Sequence, residues 1–477
     1  MSIKFPEGYV AVVKHDCPTC VLVAPILKEI EEEGRALTVY VQDDPSFLSV
    51  SNVINDGSLE NSFHLEIETV PTLLKIEGGQ ETARVIGWEK DEWRALTALD
   101  QLAPQAPQAR PGCGSISVEP GVAERLAIKF GPTKMASRRI EVPQIEDEAE
   151  YCFERGWSDG LPVVPPTEER VYRMLQGSIR DPSEVLGEMP PQLNACTVEK
   201  VAVNAVMAGC KPEYLPVVLA AVEAALEPAF CLHGLLATTW FSGPMIIVNG
   251  PIRSAIDMNW RGNVLGQGNR ANASIGRALQ LVVRNVGGGR PQETDMSTFG
   301  SSVKFGFCFA EDEDTPWTTF AEDTGIARDK SSVTVLSADG VQGCVDQNAR
   351  SPEPLLRSLA ESLRTINHID MVNGSDVLIV VGPEHGRIFD EAGWSKQQVA
   401  DALHQRLQVE GQDLGMGADD GPNKIKQRQD GKTSKFRPGG IRLVRAGGQA
   451  GLFSAIIPGW LMKGPAGTNP VTKEIRS

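Results

Sequence analysis

The chain has 477 residues, of which 41% are hydrophobic and 23% charged, and it carries a net charge of −16 at pH 7. That length suits two or three domains with ordinary globular cores. The acidic balance argues against general binding to nucleic acid or to an anionic membrane surface.

No run of residues approaches the ~18 consecutive apolar positions of a membrane helix. The opening residues lack the apolar core of a signal peptide. Nine cysteines, most of them scattered without a spacing pattern, fit reduced thiols better than a disulfide framework. A cytoplasmic protein is the expectation.

In chain order, the apolar run at 9–13 stops at Lys14-His15-Asp16-Cys17-Pro18-Thr19-Cys20. Val21, Val23, Ala24, Ile26, Leu27 and Ile30 then recur mostly at three- and four-residue steps. This pattern predicts a strand, a tight turn and a helix with Cys17 at its N-terminus. Unpaired N–H groups and the positive end of the helix dipole favour a thiolate there, so Cys17 is expected to be the nucleophile. Cys20, one turn on, is placed to attack a mixed disulfide formed at Cys17. The Cys-x-x-Cys spacing alone also suits half of a zinc site. A second strand is predicted at 36–41, a third around Val70-Pro71-Thr72, a Gly78-Gly79 turn, a strand at 82–87 and a helix at 89–99.

Cys17-Pro18-Thr19-Cys20 and Val70-Pro71-Thr72, in this order of elements, resemble the thioredoxin family over residues 1–103. The resemblance implies a thioredoxin-like α/β fold, a redox-active pair at Cys17 and Cys20, and a cis-proline at Pro71 facing it. It also implies re-reduction by an external thiol reductase or a low-molecular-weight thiol. Two departures stand out: Asp16 replaces an aromatic residue, and the inner dipeptide is Pro-Thr instead of Gly-Pro. Asp16 should oppose thiolate formation and a protonated His15 should favour it. The acidic run Glu29, Glu31, Glu32 and Glu33 reads as a solvated helix face or as a docking face for a basic reductase.

Residues 104–140 begin with a Pro/Ala/Gln-rich stretch that reads as a semi-rigid, extended linker. Cys113-Gly114-Ser115 follows it, and a tether of this length could carry Cys113 to Cys17; the plain alternative is a tolerated loop cysteine. Residues 141–477 alternate helical patterns (146–156, 167–175, 198–208, 212–226, 272–286, 352–366, 396–407) with strand-like runs (234–240, 245–249, 303–309, 332–336, 377–381, 441–444, 452–457). They predict a larger mixed α/β domain. Residues 411–440 read as a long loop of the lid or binding type. Gly156-Trp157-Ser158-Asp159-Gly160-Leu161-Pro162, Asn269-Arg270-Ala271-Asn272 and Ala392-Gly393-Trp394-Ser395 resemble an uncharacterised bacterial domain associated with UGSC-type selenoproteins, a set of predicted thiol redox proteins. Cys113-Gly114-Ser115-Ile116 lacks that family's final cysteine, so its redox motif does not carry over.

Within this second part, Cys210 falls at a predicted helix start next to Lys211, where a thiolate is favoured; a small buried hydrophobe is the rival reading. Arg270, in a Gly-rich turn, and Arg277, on the helix expected to follow from the N-cap Asn272, suggest a clamp for a carboxylate or phosphate. Cys308 and the acids at 311–314 read as a solvated acidic loop or, without supporting histidines, a weak metal site. His385, directly after the strand at 377–381, is the general acid/base candidate. No cofactor and no metal are implied. The expected function is thiol–disulfide exchange between the N-terminal dithiol and a fused domain, through Cys113 or Cys210, that acts on a small anionic substrate. The alternatives are a non-redox lyase or hydrolase, or a binding module, with a cysteine kept reduced by the first domain.

Overall fold

The computed structural model describes residues 4–142, 147–367, 375–410, 432–460 and 468–476. The chain is of mixed α/β class and divides into two compact units, Met1–Lys134 and Met135–Ser477.

The first unit contains β1 (Gly8–Val13), α1 (Pro18–Glu32), β2 (Leu37–Val41), β3 (Val53–Asn55), α2 (Glu60–His64), β4 (Thr69–Val70), β5 (Thr72–Glu77), β6 (Gln80–Ile86), β7 (Trp88–Glu89), α3 (Lys90–Thr97), β8 (Ala109–Arg110), β9 (Cys113–Gly114) and α4 (Val122–Phe130). A five-stranded sheet runs β3-β2-β1-β5-β6, with β1, β2 and β3 parallel and β5 and β6 antiparallel to their neighbours. β1 is central, so both its faces are covered and Val10, Ala11, Val12 and Val13 are fully buried. An all-apolar run in place of alternation is what such a strand requires. Helix α1 buries Val23, Ile26, Leu27 and Ile30 along one side, each worth roughly 1.5–3 kcal/mol relative to exposure. Its start is set by Pro18, whose missing N–H costs nothing in the first turn.

The Pro/Ala/Gln stretch is not the semi-rigid, extended linker that its composition suggested. Trp88 Nε1 donates to the Pro107 carbonyl at 2.7 Å, and the Lys90 amide donates to Gln108 at 2.8 Å. β8 pairs with β7 and β9 with β4, both antiparallel. Composition reports the stiffness of an isolated chain; here the carbonyls find donors on the folded unit, which therefore continues to Lys134 instead of ending near 103. Gly112 permits the closest approach: a Cβ there would lie 2.4 Å from Thr69 Cγ2 and 2.6 Å from the Val70 carbonyl oxygen.

The second unit holds two four-stranded sheets. One is ordered Cys308–Ala310, Gly243–Asn249, Ser332–Ala338, Val471–Glu474, and the other Gln342–Val345, Phe453–Gly459, Asp376–Val381, Ile441–Arg445. The helices Val198–Ala208, Leu215–Leu226 and Arg270–Asn285 supply the apolar residues packed with the first sheet, and Pro352–Arg364 and Lys396–Arg406 those packed with the second. The predicted strand at 234–240 is instead the helix Leu232–Ala237, with Leu232, Leu235 and Leu236 buried on one side; a short apolar run does not separate the two states. The strand expected at 303–309 shrinks to Cys308–Ala310 after a single 3-10 turn, Ser302–Lys304. The predicted loop at 411–440 lies mostly outside the described residues, and within them Lys432–Ser434 forms a strand with Gln408–Glu410. Among the described residues no single helix is long and apolar enough to cross a membrane.

Candidate functional site: a three-thiol cluster

Cys17 is the N-cap of α1, with extended backbone, and its sulfur accepts from the Cys20 amide at 3.3 Å. Across from it, the Val70 carbonyl oxygen lies 3.6 Å from Cys17 Sγ, and the Val70–Pro71 bond that follows is cis. The neutral thiol donates to that carbonyl; the thiolate instead accepts from the groups around the helix start. Burial works against ionisation of Cys17, which is 1% exposed. It is outweighed by hydrogen bonds from the Cys113 and Cys20 thiols and from the Cys20 and Thr19 amides, so the pKa of Cys17 is lowered. Cys20 behaves in the opposite way: fully buried, its thiol is pushed far up, chiefly by desolvation.

Cys113 is the third thiol. The sheet register sets it opposite Val70, the residue whose carbonyl faces Cys17. Its own pKa is raised, first because it donates to Cys17 and second because it is partly desolvated; Lys14 and Arg110 act in the other direction. Unlike the other two it is only half-buried.

The segment that carries Cys113 is held at both ends. On one side Thr19 Oγ1, inside the Cys-x-x-Cys, donates to the Pro111 carbonyl at 2.7 Å. On the other, the buried Gln42 side chain donates to Ser115 Oγ at 2.6 Å and accepts from the Ile116 amide at 3.0 Å. Ser115 N donates to Glu68 O, and Ser117 Oγ to Ile67 O. Asp43 accepts from the His15 and Asp16 amides at 2.6 and 3.0 Å, which fixes the turn into the dithiol. His15 stacks on Phe47. Burial and then hydrogen bonds, and not the side chains of His15 and Asp16, are the leading influences on Cys17. Thr19 and Ser115 stand within stretches that the sequence singles out, but nothing in the sequence signals the hydrogen-bond partners of Thr19, Gln42, Asp43 or Ser115.

The candidates in the second unit do not assemble into a site: Arg270 lies near Cys210, but Arg277 and His385 are committed to other partners. Cys210 follows the helix Val198–Ala208 and lies in the apolar core, 6% exposed, with its thiol pushed up to about 12 by burial. The expected thiolate-favouring helix start is absent, because Pro212 opens only a 3-10 turn and the sulfur is dry. Cys308, Cys196 and Cys344 are likewise buried.

The anion clamp is corrected as well. The helix begins at Arg270 and its N-cap is Asn269, not Asn272. Asn272 instead bonds both ways to the Asn259 backbone. Arg277 is bidentate to Asp159 at 2.8 and 2.7 Å and also donates to Leu161 and Pro162 carbonyls. Arg270 donates to Gly209 O. The Arg277 guanidinium is thus committed to the chain's own segment 159–162.

His385 is fully buried, with Nδ1 2.9 Å from Ser454 Oγ and Nε2 3.1 Å from Asp346 O. Both ring nitrogens are taken up internally, and burial lowers its pKa, so it joins elements of the second sheet instead of facing a substrate. The acidic segment at 311–314 is not a solvated loop throughout: Glu311 is 2% exposed and accepts from Asn249 Nδ2 and the Phe320 amide. Burial raises its pKa to about 7. Among the described residues no group of three or more His, Cys, Asp or Glu side chains is arranged to hold a metal ion. An open cavity of about 780 Å³ in this unit is lined by Tyr151, Trp157, Glu199, Asn204 and Asn285, none of which the sequence singled out for chemistry.

No protein-family model matches this chain, and a search of curated proteins finds no match.

Proposed function

We propose that residues 1–134 are a thioredoxin-like thiol–disulfide exchange domain in which Cys17 is the nucleophile and Cys20 the thiol that closes the disulfide. The observation that carries this reading is the geometry of the pair: Cys17 is the N-cap of α1, its sulfur accepts from the Cys20 amide at 3.3 Å, and it lies beside the Val70 carbonyl and the cis Val70–Pro71 bond, with the pKa directions of the two thiols agreeing. A thiolate at Cys17 attacks a disulfide sulfur and expels a thiolate. Cys20 then attacks Cys17 in the mixed disulfide, giving up its proton as the second thiolate leaves. Burial keeps Cys20 protonated until that moment, which prevents the two thiols from competing as nucleophiles. The order of strands and the cis Val70–Pro71 bond beside the sulfur support the family likeness. Re-reduction falls to an external reductase or a small thiol.

The test is catalysis of insulin disulfide reduction by dithiothreitol. The intact chain should accelerate it, Cys17→Ser should not, and Cys20→Ser/Cys113→Ser, which lacks both neighbouring thiols, should accumulate a mixed disulfide at Cys17. An intact chain no faster than dithiothreitol alone would remove the proposal.

A further inference from the structure

We propose that Cys113 is a second disulfide partner of Cys17, so that the site has two alternative internal disulfides, Cys17–Cys20 and Cys17–Cys113, the second of which ends at the most exposed of the three thiols. The inference rests on the reading of Cys17 as a redox-active thiol.

Three observations carry it. The register sets Cys113 opposite Val70, whose carbonyl is 3.6 Å from Cys17 Sγ, so the backbone itself holds the third thiol at the first. The segment is clamped on both sides of Cys113, by Thr19 at Pro111 and by Gln42 at Ser115 and Ile116, so this proximity is built in and not a chance of a loop. Cys17 and Cys20 are 1% and 0% exposed, while Cys113 is only half-buried.

The electrostatics favour the same assignment. Cys113 is held protonated first by its bond to Cys17, an influence that ends once Cys17 is in a disulfide. What remains at Cys113 is partial desolvation, opposed by Lys14 and Arg110. Cys20 is held protonated chiefly by burial, which persists. Once Cys17 is capped, Cys113 is therefore the more readily ionised of the two remaining thiols.

The chemistry balances in both directions. Starting from Cys17–Cys20, the Cys113 thiolate attacks Cys17 Sγ, the Cys17–Cys113 bond forms, and Cys20 leaves as a thiolate that takes the proton Cys113 released. Starting from the reduced site and oxidised glutathione, one glutathione disulfide bond breaks and Cys17–Cys113 forms. Two glutathione thiols then leave with the two cysteine protons, whichever cysteine is attacked through first.

The experiment treats reduced Cys20→Ser full-length chain with oxidised glutathione, quenches in acid and reads intact mass and peptide map. The expected product has lost two hydrogens, carries no glutathione, and gives one cross-linked peptide pair containing Cys17 and Cys113. In Cys20→Ser/Cys113→Ser the glutathione adduct should instead persist on Cys17. Retention of glutathione on Cys20→Ser with the other cysteine free would overturn the proposal, as would an unreactive Cys20→Ser beside a wild type that forms Cys17–Cys20. A wild type inert as well would remove the dithiol reading itself, and the inference with it. Should Cys20→Ser fail to fold, the wild type poised at graded ratios of oxidised to reduced glutathione serves instead: the Cys17–Cys113 pair should be detected beside Cys17–Cys20, and its absence at every ratio overturns the assignment.

Discussion

At the scale of single residues, the behaviour of Cys17 is a contest between burial, which favours the neutral thiol, and a ring of donors, which favours the thiolate. The donors win, and one of them is the Cys113 thiol. Replacing Cys113 by Ser at the same backbone position shortens the reach of the donor, and replacing it by Ala removes it. The pH profile of Cys17 alkylation by iodoacetamide should shift upward in Cys113→Ala, while wild-type Cys17 reacts faster than Cys20 near neutral pH. An unshifted profile would mean that the helix N-terminus alone stabilises the thiolate.

Glu311 offers the opposite case, a carboxyl raised to about 7 by burial. Between an ordinary value near 4.3 and about 7 the folded state binds more protons than the unfolded one, so stability falls as pH rises through that window. A shift of this size corresponds to roughly 4 kcal/mol at most. Glu311→Gln, which keeps an acceptor for Asn249 and the Phe320 amide, should flatten the dependence. Thermal melts between pH 4.5 and 8 decide it: a wild-type profile as flat as that of the variant would mean the carboxyl ionises freely in place.

At the scale of elements, the pairing of β9 with β4 depends on the absence of a side chain at Gly112. Gly112→Ala places a carbon against Val70 O and Thr69 Cγ2, of which the backbone atom cannot move aside cheaply. The strand pair should loosen, costing about 1–3 kcal/mol as an overpacked contact does. Cys17 should then become more accessible to alkylation at fixed pH while its thiolate loses the Cys113 donor. Urea titration and alkylation rate together check this, and an unchanged midpoint with unchanged reactivity would show that the segment tolerates the extra carbon. The same scale explains Arg277. Its bidentate bond joins the helix Arg270–Asn285 to the turn at Asp159. Despite burial, this arginine holds the Asp159 carboxyl below its usual range. Arg277→Ala leaves a largely buried carboxylate without its counter-ion and should destabilise the second unit by about 3 kcal/mol. A loss of anion binding without a loss of stability in denaturant unfolding would revive the clamp.

At the scale of the whole molecule, every group of the thiol cluster belongs to the unit ending at Lys134. A chain cut between Gln105 and Arg110 would part Cys113 from the unit that holds it, whereas a cut after Lys134 leaves the cluster whole. The fragment 1–134 should therefore keep the Cys17 alkylation profile of the intact chain, and a profile that differs would implicate the second unit in tuning the thiol.

What the sequence by itself determined was local. The helix start at Pro18, the N-cap position of Cys17, the one-turn offset of Cys20 and the core face of α1 all follow from periodicity and backbone chemistry within about a dozen residues. So do most helices of the second unit, because amphipathic spacing is read over a few turns. What only the tertiary structure decided was the partner of each polar side chain. Thr19 meets Pro111 across 92 positions, Arg277 meets Asp159 across 118, and Cys113 returns to Cys17 on a stretch whose composition suggested an extended, semi-rigid linker. Cys210 and His385 had the right chemistry in the sequence and lost it to burial, which depends on how the sheets and helices close over them. The reason is common to all of them: a side chain's charge state and partners are set by solvent and by whatever chain comes back to it, and neither is written in its neighbours.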